Sequence, residues 1–207
     1  GPAPLHSRPV IVGSGPAGLM CAWYLAKAGY APLLLERGEE AHLRQQKVEA
    51  FWKNGLLDPD SNVQFGEGGA GAFSDGKLTT RSKDSRARKV LEELVDFGAK
   101  EDILIDAHPH IGTDAFLKII ENCRKKIIDL GGTFYFDTCL KDIKTKQNKT
   151  KKNKEKRENK CISLTLKLRK NYAKSEGEFI MTVLLPQMTV TSQSKLMTTL
   201  TMLHRQA

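Results

Sequence analysis

The chain has no run of about 18 apolar residues, so no membrane-crossing helix is expected. The first apolar stretch, Pro9 to Gly13, is too short and too glycine-interrupted to act as a signal peptide. Cysteine is sparse: Cys21, Cys123, Cys139 and Cys161 lie far apart with no CxxC pair. That spacing argues against a metal knuckle or a dithiol centre and fits a reducing, cytoplasmic setting. Aromatic residues are 7% of the chain and none falls within residues 141–160. Glycine is nearly missing from the last third, where only Gly177 follows position 140.

Charge divides the chain in the same way. Residues 1–140 net −2, residues 141–160 net +7 and residues 161–207 net +4, so the overall +9 belongs to the C-terminal third. The lysine-rich segment KTKQNKTKKNKEKRENK is low in complexity and reads as a solvated loop. It could meet an acidic surface or nucleic acid, but without aromatic side chains it has nothing to stack on bases, and the solvated loop is the better reading. Its KKNKEKR core also passes as a nuclear import signal. At 207 residues the chain can bury one good core or two small ones.

The N-terminal part is organised by short local patterns. Arg8–Val12 reads as a buried strand, GSGPAG as a tight turn, Leu19–Ala28 as a helix stopped by Gly29, and Pro32–Glu36 as a second buried strand. This is a βαβ unit and implies a parallel sheet. Glu39–Lys53 reads as an amphipathic helix with Leu43, Val48, Phe51 and Trp52 toward the core. Ser85–Phe97 reads as a helix with Val90, Leu91, Leu94 and Val95 on one side, closed by Gly98. Thr113–Asp114 is the expected N-cap of a helix through Leu130, followed by a strand over Thr133–Thr138. Cys161–Leu168 and Phe179–Leu185 read as strands.

GSGPAG matches G-x-G-x-x-G at Gly13, Gly15 and Gly18, between a strand and a helix, and Glu36 ends the next strand. In such a unit the first glycine allows the turn, the second lets backbone approach a pyrophosphate, and the third lets helix and strand pack closely. The pyrophosphate sits on the helix N-terminus and the acid accepts from the adenosine ribose. The expected contacts are therefore Gly13, Ser14, Gly15, Pro16, Ala17 and Gly18 with Glu36, which would also repel a 2′-phosphate. The motif alone does not separate FAD from NAD. Arg37–Gly38 and Arg44 place two cations where phosphates are expected.

A second glycine run, FGEGGAGAFSDGKLTT, has three readings. As a P-loop, Gly71–Lys77 matches G-x-x-x-x-G-K, but Leu78 stands where a magnesium-binding hydroxyl is required. A flexible linker would lack the flanking Phe65 and Phe73. A cradle of backbone N–H groups facing an anion or a flat ring suits the composition best.

SRPVIVGSGPAGL, LLERG, NVQFGEGGAGAFSDGKLTTR and PHIGTDAF together resemble the uncharacterised FAD-dependent dehydrogenases, flavoproteins with two dinucleotide folds, over roughly residues 8–143. The resemblance implies FAD as cofactor and an α/β, Rossmann-like FAD/NAD(P)-binding domain. It implies that Gly13, Gly15, Gly18 and Glu36 hold the ADP half. Gly68–Gly69–Ala70–Gly71 and Ser74–Asp75–Gly76–Lys77 would line the flavin and pyrophosphate side, and the Cys139–Leu140 strand would meet the adenine through its backbone. Lys77 is a candidate for stabilising reduced flavin and Asp75 for a base; a surface lysine and a turn-forming aspartate are the competing readings. His108 and His110 form an H-x-H with no evident third ligand, so no metal site is expected. Family members are about twice as long, with a β-meander, a returning strand and a closing Gly-Asp motif that are not recognisable here.

The expected organisation is a FAD-binding domain at 8–143, a lysine-rich linker at 144–160, and a β-meander remnant or disordered tail at 161–207. The expected fold is incomplete, and the chain reads as a truncated or shifted form of a longer protein. An NAD(P)-linked dehydrogenase fragment and a non-catalytic dinucleotide-binding fragment are the alternatives. Substrate and electron partner are not legible.

Overall fold

The computed structural model describes residues 8–74, 76–78, 84, 86–106, 109–147, 162–170 and 177–181. Strands β1 (Val10–Val12), β2 (Leu33–Leu35) and β3 (Thr133–Tyr135) form an open parallel sheet in that order. Val10 pairs with Leu33 and Leu33 with Thr133, so the three strands end level with one another. The valine, isoleucine and leucine side chains of β1 and β2 suit strands covered by helices. Arg8 fastens the opposite end of the sheet by donating to Ala31 O, Pro32 O, Gly131 O and Thr133 Oγ1. This is a Rossmann-like α/β fold whose sheet stays open.

Helix α1 (Pro16–Lys27) crosses between β1 and β2. Helices α2 (Ala41–Asn54), α3 (Arg86–Asp96) and α4 (Thr113–Asp129) belong to the long connection between β2 and β3. The core lies where α1 and α4 cover the sheet: Leu19, Ala22, Trp23 and Ala26 pack with Leu34, Phe97, Leu117, Ile120, Cys123 and Ile127. Burying each large apolar side chain here contributes about 1.5–3 kcal/mol. The Trp23 and Phe97 rings meet edge-on at 5.2 Å, and the Trp23 indole N–H donates to the buried Glu93 carboxylate.

Four sequence expectations are corrected. The buried side of α2 is Ala41, Arg44 and Val48, whereas Leu43 and Trp52 are 44% and 64% exposed. A cation displaces the apolar residues because it finds carbonyl partners in the core. On α3, Leu94 is buried and Leu91 and Val95 pack on the core, but Val90 is exposed. The N-cap of α4 is Gly112, without a side-chain cap, and that helix ends at Asp129. The strand expected over Thr133–Thr138 is broken at Phe136–Asp137, where Asp137 adopts φ +50°, a region Asp tolerates better than most residues.

After the break, β4 (Thr138–Gln147), β5 (Ile162–Lys170) and β6 (Gly177–Met181) form a separate antiparallel sheet. The expected boundary after residue 143 thus falls inside β4. Residues 148–160 of the lysine-rich segment and 161, 171–176 and 182–207 of the tail lie outside the described residues.

Candidate functional site

The sheet's level end carries the first glycine turn. The Gly13 N–H donates to Leu35 O at 2.7 Å, extending the ladder by one residue. Gly15 is the extended N-cap of α1, and Pro16 follows at the first helical position, where a missing N–H costs nothing. No side chain caps this end, so the Ala17 and Gly18 N–H groups have no intrahelical acceptor. The glycines differ in what surrounds them. A Cβ on Gly18 would lie 2.0 Å from Gly13 O, so helix and turn touch there. A Cβ on Gly15 would meet nothing within 4 Å, so this backbone faces open space.

Glu36 sits beneath the turn, 5% exposed. Its Oε2 accepts from Ser14 N at 2.7 Å and Ser14 Oγ at 2.8 Å, and its Oε1 accepts from Gly38 N at 2.9 Å. A carboxylate offers about four lone-pair sites, so one further donor can be accepted. The start of β4 runs beside it: Thr138 N donates to Glu36 O at 2.8 Å, which brings half-buried Cys139 and Leu140 to the acid's flank. Arg37 donates to Asp60 at 2.8 Å, and its guanidinium lies 4.4 Å from the centre of the Phe65 ring.

The second glycine run docks on the first. Gly68 N donates to Ser14 O at 2.9 Å. A Cβ on Gly69 would lie 3.3 Å from both Gly15 Cα and Pro16 Cδ, and the φ of +65° there favours glycine in any case. Ala70–Phe73 then forms one 3₁₀ turn, and Gly71 again faces open space. Ser74 is exposed, its hydroxyl donating to Gly71 O. Gly76–Leu78 pairs antiparallel with Pro109–Ile111, which sets Lys77, exposed, opposite exposed His110. A P-loop lysine would instead enter a helix. Asp75 and His108 lie outside the described residues, and among those described no group of three His, Cys, Asp or Glu is placed to hold a metal.

Arg44, expected near phosphates, is fully buried and donates to five backbone carbonyls: Asn62, Val63, Gly66, Glu67 and Gly69. The Phe73 ring covers it, centred 4.7 Å from the guanidinium carbon. Burial lowers its pKa to about 10, which leaves it charged at neutral pH.

Glu67 is the carboxylate that the sequence reading passed over. It is fully buried, and its Oε2 accepts from Ala41 N at 2.7 Å, at the N-terminus of α2. Its Oε1 is 3.0 Å from Arg124 Nε, but the two are not aligned for a hydrogen bond, and neither atom has another hydrogen-bond partner among the described residues. Burial raises the Glu67 pKa to about 7, against the opposing charge of Arg124 and the Ala41 N–H. The folded chain therefore holds a proton that the unfolded chain releases between pH about 4.5 and 7, and stability falls as pH rises through that window. Glu67→Gln keeps the Ala41 acceptor and cannot ionise. The expected result is that wild type loses up to about 3 kcal/mol relative to Glu67→Gln between pH 4.5 and pH 8, read by urea unfolding. Parallel pH profiles would contradict it.

A family model described as an NAD(P)-binding Rossmann-like domain matches residues 11–52. A protein of Clostridium beijerinckii, described as uncharacterised, is 51% identical over 142 residues, covering 69% of this chain and 27% of that protein. The chain thus spans 27% of the length of the curated relative it matches. Among solved structures, THI4 of Thermovibrio ammonificans aligns with a TM-score of 0.48 and 18% identity, over 85% of this chain and 54% of that one. CabE, an aromatic hydroxylase from angucycline biosynthesis, aligns with a TM-score of 0.46 and 13% identity, over 86% of this chain and 29% of that one.

Proposed function

We propose that this chain carries the ADP-binding side and part of the flavin-binding side of a FAD-dependent oxidoreductase. One observation carries the reading: the second glycine run is hydrogen-bonded and packed onto the first, through Gly68 N to Ser14 O and Gly69 against Gly15. A nucleotide site of the simple βαβ kind is complete with one glycine turn, a helix N-terminus and an acid. A second backbone surface with little side chain, docked beside the turn, suits a longer and flatter ligand. The residues fit such a group, because a Cβ on Gly15 or Gly71 would enter empty space.

In this reading Gly13–Gly18 and the uncapped N–H groups of α1 receive the pyrophosphate. Glu36 uses its remaining acceptor capacity on the ribose and repels a 2′-phosphate. The backbone at Cys139–Leu140 borders the adenine. Gly68–Gly71 and Ser74–Lys77 border the flavin side, where the Lys77 cation favours negative charge and Asp75 is the candidate base. FAD itself supplies hydride acceptance when bound. The protein supplies orientation, a backbone wall and field.

The family match over residues 11–52 favours a second reading, an NAD-linked site. Fluorescence titration with FAD, NAD and NADP separates the two. The expected order is FAD tighter than NAD by at least about tenfold, or 1.4 kcal/mol, with NADP weakest. NAD binding tighter than FAD would overturn the flavin reading in favour of the dehydrogenase one.

A further inference from the structure

We infer that Arg44 is a positioning residue that folds the second glycine run into its docked shape, and that it does so without touching the ligand. The inference rests on the flavin reading only for what the docked run binds. Its own basis is peptide geometry. In a trans peptide the carbonyl of one residue and the N–H of the next point in opposite directions. Each carbonyl drawn to Arg44 therefore turns the following N–H away from it.

The consequences are visible along the run. Glu67 O accepts from Arg44 Nη1 at 2.6 Å, and the next N–H, that of Gly68, is thereby aimed at Ser14 O, 2.9 Å away. Gly66 O also faces Nη1, and the next N–H, that of Glu67, reaches Glu39 O at 3.0 Å. Gly69 O accepts at 2.8 Å, which turns the Ala70 N–H away from the guanidinium. Asn62 O and Val63 O fix the start of the run at 2.8 Å and 2.9 Å, and the Phe73 ring closes its end. One planar, buried side chain thus reaches from Asn62 to Phe73. Glycine backbone, which has the most freedom to lose, gains most from such a template. Lysine has the charge but not the planar fork, so it cannot gather these carbonyls in the same pattern.

A phosphate-binding arginine and a positioning arginine make different predictions. Removing the former weakens every ligand that carries the phosphates. Removing the latter weakens the ligand that needs the second run and spares the one that needs only the first turn. The test uses Arg44→Lys and Arg44→Ala in the full chain, with two readouts. The first is amide hydrogen exchange without ligand, comparing the Gly68 N–H with the Glu36 N–H, which is bonded to Tyr135 O in the sheet. The expected result is Gly68 exchange faster by about tenfold or more in Arg44→Lys, with Glu36 exchange unchanged.

The second readout is affinity for FAD and for ADP. The expected result is FAD weakened by about tenfold or more and ADP by less than about threefold. Adding millimolar guanidinium to Arg44→Ala is expected to restore part of the Gly68 protection. Unchanged Gly68 exchange in Arg44→Lys would overturn the inference. So would equal acceleration at Gly68 and Glu36, equal weakening of FAD and ADP, or failure of Arg44→Lys to fold; if only Arg44→Ala fails to fold, Arg44→Lys decides. If the wild type binds FAD no tighter than ADP, the flavin reading fails, while the exchange comparison still decides the role of Arg44.

Discussion

Gly15→Val is expected to fold like the wild type and to bind FAD at least about a hundredfold more weakly, a loss of about 2.7 kcal/mol. The two halves of that result have separate causes. Gly15 has φ −66° and ψ 177°, extended backbone that valine adopts without strain. Its added Cβ meets nothing within 4 Å, so the turn accepts the side chain, at a cost of about 1 kcal/mol or less for a poorer N-cap. The ligand does, because the second glycine of the turn is where backbone approaches the pyrophosphate. Thermal unfolding within about 4 °C of wild type together with lost binding is the expected pair. Retained FAD affinity would mean that the turn does not face the ligand.

Gly18→Ala, three residues along the same motif, is expected to behave in the opposite way. Helix propensity alone predicts that alanine stabilises α1 by about 1 kcal/mol. The added Cβ would lie 2.0 Å from Gly13 O and 3.1 Å from Gly13 C, both backbone atoms that cannot rotate aside. Either α1 moves off β1, where Leu19 and Ala22 pack, or the turn that presents Ser14 to Glu36 opens. Overpacking of this kind costs about 3 kcal/mol or more and outweighs the propensity gain. The net of about 2 kcal/mol is expected to lower Tm by about 4–8 °C, with loss of ligand binding as a secondary effect. A Tm at or above wild type would show that propensity wins and that helix and strand are less tightly joined.

The contrast between these glycines shows what local pattern makes legible. Strand, turn, helix, strand and acid fall within 29 residues, Arg8 to Glu36, and each is signalled by neighbours in sequence. The parallel pairing of β1 with β2 follows from the crossover helix between them. The glycine content of the second run is equally visible. What is not visible is what the run folds around. A single arginine soon after the acid reads as a phosphate cation, and on α2 the leucine and tryptophan read as core.

The order is reversed because the partners of Arg44 are backbone carbonyls 18 to 25 residues away, which side-chain composition cannot reveal. Glu67 has the same history. Its signal was a carboxylate inside a glycine run, and its partners are a helix N-terminus and Arg124 on α4. The break at Asp137 was missed for another reason. Thr133–Thr138 alternates as one strand would, but the chain must leave the parallel sheet beside Glu36 to start the antiparallel one.

In the proposed site two glycine runs, held together by Gly68 on Ser14, make one surface for FAD. The most direct measurement is equilibrium dialysis of the purified chain and of Gly15→Val against FAD, with the bound flavin identified after release and its visible absorption recorded. The expected result is binding that approaches one FAD per wild-type chain, with a shifted flavin spectrum, and none above background for Gly15→Val. Equal FAD uptake by both proteins, or none by a folded wild type, would contradict it.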